Sequence, residues 1–167
     1  MPKTRDDLFA FLDGLGIATE TTEHPAVYTV EEAKAHRGSP WGELDGAHCK
    51  NLFLKDKKGA LYLVVADEDR AIDMKELRHK IGAHHLSFGK PDLLMEVLGV
   101  EPGSVTVLAL INDTDRRVNV VIDAAIMEHA VLNCHPLVNT ATTRIATSDV
   151  IAFVRACGHD PQIRDLA

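Results

Sequence analysis

Cysteine, long apolar runs and excess positive charge are all in short supply in this chain. Cys49, Cys134 and Cys157 are odd in number and far apart in sequence, so they imply no disulfide framework. A reducing compartment, the cytoplasm, is the expected location. The longest uninterrupted apolar run, Ala60 to Ala66, is far too short to cross a bilayer. The first turn, with Lys3, Arg5, Asp6 and Asp7, lacks the basic-then-apolar layout of a signal peptide. Lys and Arg number 18 against 25 Asp and Glu, a net charge of −7, which argues against a generic, charge-driven nucleic-acid binder. Internal repeats, low-complexity tracts and Ser/Gly/Pro-rich linkers are missing as well, so residues 1–167 read as one domain. Several enzyme signatures are absent: no Gly-rich phosphate loop ending in Lys-Ser/Thr, no G-x-S-x-G, no H-E-x-x-H and no C-x-x-C.

What is present is a chain 46% hydrophobic, ample for a folded core. Thr4 caps a helix from Arg5 to about Leu15, whose Leu8, Phe11, Leu12 and Leu15 fall at helical spacing. An extended stretch from Ala18 to Glu23 ends at His24-Pro25, and Thr29 with Glu32 forms a capping-box pattern for a short helix ending near Gly38. Ala47–Lys55 and Ala60–Ala66 read as strands joined by the hairpin turn Asp56-Lys57-Lys58-Gly59. Asp73–Ile81 and Pro91–Leu98 read as helices, the second with Pro at its first position and Gly99 just past its end. Strands are expected at Val105–Ile111, Arg117–Ile122, Ala130–Cys134 and Thr140–Ile145, with a helical turn over Asp123–Met127 and a last helix from Thr147 or Ser148 to Gly158. The expected fold is α+β, a mixed and mostly antiparallel sheet with peripheral helices.

Polar residues inside otherwise apolar strands are the places to look for chemistry. Alternation puts Lys50 on the face shared with Leu52 and Leu54. A lysine there must snorkel, pair or line a cavity, unless it is an edge lysine whose head reaches solvent. Asn133-Cys134-His135-Pro136 ends a strand, and His before Pro presents its ring at the end of the sheet. His24-Pro25 in the same chain shows that such a pair can equally be an ordinary turn. Asn139, Thr142 and Thr143 either hydrogen-bond near that spot or satisfy turn backbone. His48-Cys49 and Cys134-His135 together offer zinc-type ligands, but neighbours on a strand face opposite ways, so no metal site is expected. Asp67-Glu68-Asp69-Arg70 reads as a solvated loop.

Five segments in order carry a resemblance across nearly the whole chain. They are Glu23–Ala33, Cys49–Asp56, Leu86–Phe88, Leu98–Thr106 and His135–Thr143, followed by Gly158-His159-Asp160-Pro161. Together they resemble the YbaK/prolyl-tRNA synthetase editing-domain family of aminoacyl-tRNA deacylases, and within it the freestanding proteins that hydrolyse alanyl-tRNA(Pro). The resemblance implies a curved mixed sheet with helices around it. It also implies hydrolysis of the ester joining a wrong amino acid to the 3′-terminal adenosine of tRNA, in the cytoplasm and without a cofactor. The 3′ acceptor end of tRNA(Pro) becomes the implied partner, with prolyl-tRNA synthetase a second candidate partner. The family's invariant lysine falls on Lys50 and its Asn neighbour on Asn51. Related members carry Gly-x-x-x-Pro-His where this chain reads Val131-Leu132-Asn133-Cys134-His135-Pro136, a departure that blocks copying roles from the cysteine-specific members.

On that resemblance, Lys50 is expected to grip the terminal phosphate or adenosine, and His135 to orient substrate or water. Asn51, Asn139 and Thr142 are expected to contact substrate, and the Gly103-Ser104 amides to polarise the carbonyl. Tyr28, Phe88 and Leu132 are candidate walls of a pocket small enough to admit alanine and exclude proline. A proline site discriminates against alanine by only about 1–3 kcal/mol, so a second sieve is useful. Lys55 and Arg144 are further local cations for the RNA end. A deacylase specific for cysteine or serine, and a non-catalytic binding module for tRNA or a synthetase, remain open alternatives.

Overall fold

The computed structural model describes residues 2–25 and 47–166. The expected helix at Thr29 to Gly38 and the candidate wall Tyr28 lie outside the described residues. Helix α1 (Arg5–Gly14) begins where expected, because Thr4 and Asp7 cap each other: Asp7 N–H donates to Thr4 Oγ1 and Thr4 N–H to Asp7 Oδ2. Its buried Leu8 and Leu12 enter the core, and Phe11 meets Phe153 edge to face at 5.8 Å.

The described strands are β1 (Thr19–Glu23), β2 (Ala47–Asp56), β3 (Leu61–Asp67), β4 (Leu86–Phe88), β5 (Val118–Asp123), β6 (Val131–Cys134), β7 (Ala141–Ala146) and β8 (Gln162–Arg164). They form one mixed sheet in the order β1-β7-β6-β2-β3-β5-β8. The pairs β1–β7, β2–β3, β2–β4 and β6–β7 are antiparallel, whereas β2–β6, β3–β5 and β5–β8 are parallel. One edge of β2 belongs to β3. The other is shared: β6 runs beside Ala47 and His48, and β4 joins at Leu54 to Asp56. Among the described residues, helices α2 (Met74–Ile81), α3 (Pro91–Leu98) and α4 (Thr147–Ala156) join α1 around this sheet in an α+β fold.

Each face of the sheet buries its own apolar cluster. Ala47, Phe53, Leu63, Val65, Leu132, Cys134 and Ile145 belong to the larger one, together with α1, α3 and α4. The smaller one gathers Leu54, Tyr62, Val64, Ala66 and Leu86 beneath Leu77 and Ile81 of α2.

The strand expected over Val105–Ile111 is instead a 3-10 helix, Val107–Asn112, opened by Thr106, whose hydroxyl accepts from Leu108 N–H at 3.3 Å. Residues 107–111 are buried all round, so the segment has no polar face from which a period can be read. Asp113 closes it: its carboxylate accepts from the Arg117 and Val118 amides that open β5 and from His159 Nε2 at 2.8 Å. Burial alone raises that carboxyl, but these donors outweigh it and hold Asp113 below the usual carboxylate range. The last helix starts after Ala146, which makes no side-chain cap, so neither Thr147 nor Ser148 serves as the cap.

Candidate active site

Strands β1, β7, β6 and β2 turn one face to the larger core and carry polar side chains on the other. Leu132 and Cys134 of β6, Ala47 and Cys49 of β2 and Ile145 of β7 pack in or against that core. Alternation then places Asn133, His48 and Arg144 on the opposite face. The register aligns them in a row: Glu20 lies opposite Arg144, Arg144 opposite Asn133, and Asn133 opposite His48. Within it Arg144 Nη1 lies 3.5 Å from Glu20 Oε2, and Asn133 Nδ2 donates to the Ala47 carbonyl at 3.2 Å. Further along this face Thr22 lies opposite Thr142, the His135 ring sits beside His24, which bonds the Thr142 hydroxyl, and alternation from His48 brings Lys50 to the same side. Lys50 on β2 and His135, the residue just past β6, are separated by 85 positions in sequence and are thus carried on the same side of neighbouring strands.

A turn after β3 holds Lys50 in place. The ammonium donates to the carbonyl of Arg70, while the Arg70 guanidinium binds the fully buried Asp123 at 2.9 Å. Glu68 N–H donates to the His48 carbonyl and Asp69 N–H to Asp67 Oδ1, both at 2.9 Å. The segment expected to be a solvated loop is therefore docked against the strand that carries Lys50. Its charges favour solvent, but two of its backbone groups and one guanidinium bond inward.

His135 Nδ1 donates to the Ala141 carbonyl at 3.1 Å, because a carbonyl oxygen can only accept. Nδ1 therefore carries the hydrogen and Nε2 presents the lone pair. Burial lowers the His135 pKa, opposed by the Ala141 hydrogen bond and reinforced by His24, so the ring is neutral at neutral pH. His24, whose Pro neighbour suggested an ordinary turn, sits with its ring centroid 6.4 Å from that of His135. Its Nδ1 bonds the Pro25 carbonyl at 2.8 Å and its Nε2 the Thr142 hydroxyl at 2.7 Å. Just beyond Pro136, Leu137 is buried with φ of 70°, a left-handed conformation that costs a non-glycine residue about 1–2 kcal/mol. The loop after His135 is thus held in shape by core packing.

The remaining predicted site residues scatter. Thr142 joins the polar face. Asn51 points to the opposite face from Lys50, where its Oδ1 is buried without a hydrogen-bond partner. Leu132 is 1% exposed and packs in the larger core, so it does not line the Lys50 face. Ser104 N–H is engaged by the Glu101 carbonyl at 2.8 Å, which removes it from the donors expected to polarise a substrate carbonyl and leaves Gly103. Asn139 lies half-buried in the loop between β6 and β7. Phe88 is 64% exposed on β4 and forms no closed wall. On the core side of the same strands, the Cys49 and Cys134 thiols are in hydrogen-bonding contact; that contact and burial push the Cys49 thiol well up, which makes it a poor nucleophile. Among the described residues no group of three His, Cys, Asp or Glu is placed to hold a metal ion. Arg70 and Asp123 were not anticipated, since only the fold brings them to Lys50.

A family model described as an aminoacyl-tRNA editing domain matches residues 24–153. The chain belongs to that family. The matched span of this editing domain runs from His24 through the polar face to Phe153 of α4. Among curated proteins it is 41% identical over 161 residues to the prolyl-tRNA synthetase associated domain-containing protein 1 of Danio rerio, covering 95% of this chain and 85% of that one. It is 37% identical over 157 residues to the prolyl-tRNA editing protein ProX of Acetoanaerobium sticklandii, covering 91% of each. Its fold matches a crystal structure provisionally described as a trans-editing enzyme for prolyl-tRNA synthetase, with a TM-score of 0.70, 17% identity and coverage of 100% of this chain and 99% of that one. Among the described residues, no helix is long and apolar enough to cross a membrane.

Proposed function

We propose that this editing domain is a freestanding hydrolase that deacylates alanyl-tRNA(Pro), cleaving the ester at the 3′-terminal adenosine. The observation that supports the reading is that Lys50 of β2 and His135, just past the end of the neighbouring β6, lie on the polar side of the sheet that also carries His24 and Thr142. An aminoacyl ester already has an alcohol leaving group, so a placed water and a stabilised oxyanion suffice. Lys50 supplies fixed positive charge for the terminal phosphate or the developing oxyanion, oriented by the Arg70 carbonyl. Neutral His135 offers Nε2 as the acceptor that orients water or the free ribose hydroxyl. The Gly103 amide is the donor proposed for the substrate carbonyl. Asn139 and Thr142 are proposed substrate contacts, and Tyr28 a wall of the alanine pocket; Asn51, turned to the core face, is not among them. The names of the relatives support tRNA(Pro) as the tRNA class and prolyl-tRNA synthetase as the partner whose errors are corrected.

The test is a panel of alanyl-, cysteinyl-, seryl- and prolyl-tRNA(Pro) incubated with the purified protein. Alanyl-tRNA(Pro) is expected to be cleared fastest and prolyl-tRNA(Pro) spared. Preferential clearance of the cysteinyl or seryl ester moves the specificity to that amino acid. No clearance of any ester leaves a binding module.

A further inference from the structure

β4 places one large aromatic side chain in solvent on the Lys50 side of the sheet. Phe88 pairs with Leu54, and paired residues share a face; Lys50, Leu52 and Leu54 alternate along that same face of β2. At 64%, Phe88 is the most exposed of the large hydrophobic side chains described, against 42% for Leu15 and Met95 and 39% for Ile163. Nothing in folding accounts for it, because the adjoining core is closed by Leu54, Leu86 and α2 without it.

The segment that carries Phe88 is cationic in a chain that is otherwise acidic. Leu77 to Pro91 contains no Asp or Glu, but it does contain Arg78, His79, Lys80, His84, His85 and Lys90. The tip of the β2–β3 hairpin adds exposed Lys57 and Lys58, and it is tied to this segment where His84 N–H meets Asp56 Oδ2 at 3.4 Å. An aromatic platform among cations is what a single-stranded nucleic acid needs: any base stacks on the ring, and phosphates are neutralised beside it.

The position also suits the proposed reaction. Four residues of β2 separate Leu54 from Lys50, about 13 Å along the strand. Stacked nucleotides advance about 3.4 Å per step and unstacked ones farther, so roughly two to four nucleotides bridge the interval. Among the described strands, β6 pairs with β2 as far as His48 and β4 joins at Leu54, so the stretch of that β2 edge between them, with His135 past the end of β6 and Phe88 on β4, has no strand partner.

We propose that Phe88 is the stacking platform for an unpaired base near the 3′ end of an RNA substrate, with the Arg78–Lys90 segment and the hairpin lysines taking its phosphates. The identity of the RNA as an aminoacyl-tRNA rests on the function proposed above; the stacking site does not. The experiment uses the whole protein and an acceptor-stem hairpin carrying 2-aminopurine, a base whose fluorescence is quenched by stacking, in its single-stranded 3′ tail. Wild type is expected to quench the probe. Phe88→Leu, which keeps an apolar side chain but loses the ring, is expected to abolish quenching, Phe88→Trp to restore it, and Met95→Ala to leave it intact. On an aminoacylated hairpin, Phe88→Leu is expected to raise KM about tenfold with kcat unchanged. Equal quenching by wild type and Phe88→Leu overturns the proposal, as does an unchanged RNA response with loss of binding to prolyl-tRNA synthetase, which makes the ring a protein contact. Ring-dependent quenching by a protein that deacylates nothing sinks the catalytic reading and leaves the stacking site standing.

Discussion

Burial lowers the His135 pKa in the folded protein, and the sign of its effect on stability follows. As pH falls through the ordinary histidine value of about 6.5, the unfolded chain takes up a proton that the folded ring refuses. Stability therefore declines with acidification from about pH 6.5 down to the lower folded value, where the decline from this group ends. His135→Asn keeps an N–H for the Ala141 carbonyl and removes the titration. Urea midpoints measured from pH 7.5 to 5 are expected to fall less steeply for the variant; parallel profiles contradict the burial assigned to His135. Lys50 is held differently, by a hydrogen bond to backbone rather than by an acid, so its charge stays available to a phosphate or an oxyanion. At this scale the sequence already marked Lys50 and His135, because a polar residue in an apolar strand breaks alternation visibly. It did not mark Arg70 and Asp123, whose role depends on a fold-back between β3 and β5.

Short elements decide where the side chains of the site end up. Strands β4 and β8 have three residues each, too few to show an alternating pattern, and neither was anticipated. The parallel pairing of β2 with β6 was equally invisible, yet it separates Lys50 and His135 on one face from Asn51 and Leu132 on the other. Residue patterns give the face of a strand relative to itself; only register gives the face relative to a neighbour. By contrast α1, α2 and α3 and the β2–β3 hairpin were legible, since Thr4, Asp73, Pro91 and Gly59 mark their boundaries locally. Gly89 is the element-level weak point. Its N–H bonds the Phe53 carbonyl at 2.9 Å, and a Cβ there meets the buried Phe53 ring at 2.4 Å. Gly89→Ala is expected to cost about 1–3 kcal/mol by overpacking. That lowers Tm by roughly 2–4 °C for each kcal/mol in a domain of this size. An unchanged Tm in a calorimetric scan contradicts the close seating of β4 on β2.

The whole molecule carries a net charge of −7, yet its cations are not evenly spread. Lys50 stands on the polar face, and a basic segment from Arg78 to Lys90 flanks it on the side of α2 and β4. An acidic body with local cations suits a protein that engages only the end of an RNA, with limited affinity for the deacylated molecule. The central claim is that the face shared by Lys50 and His135 hydrolyses the aminoacyl ester of alanyl-tRNA(Pro). Single-turnover deacylation of alanyl-tRNA(Pro) by wild type and Lys50→Ala, with circular dichroism confirming that both are folded, tests it most directly. Wild type is expected to clear the ester rapidly and the variant at a rate reduced roughly 10²–10³-fold, the loss typical for removing one group that stabilises developing charge. A folded Lys50→Ala protein that clears the ester at the wild-type rate contradicts it.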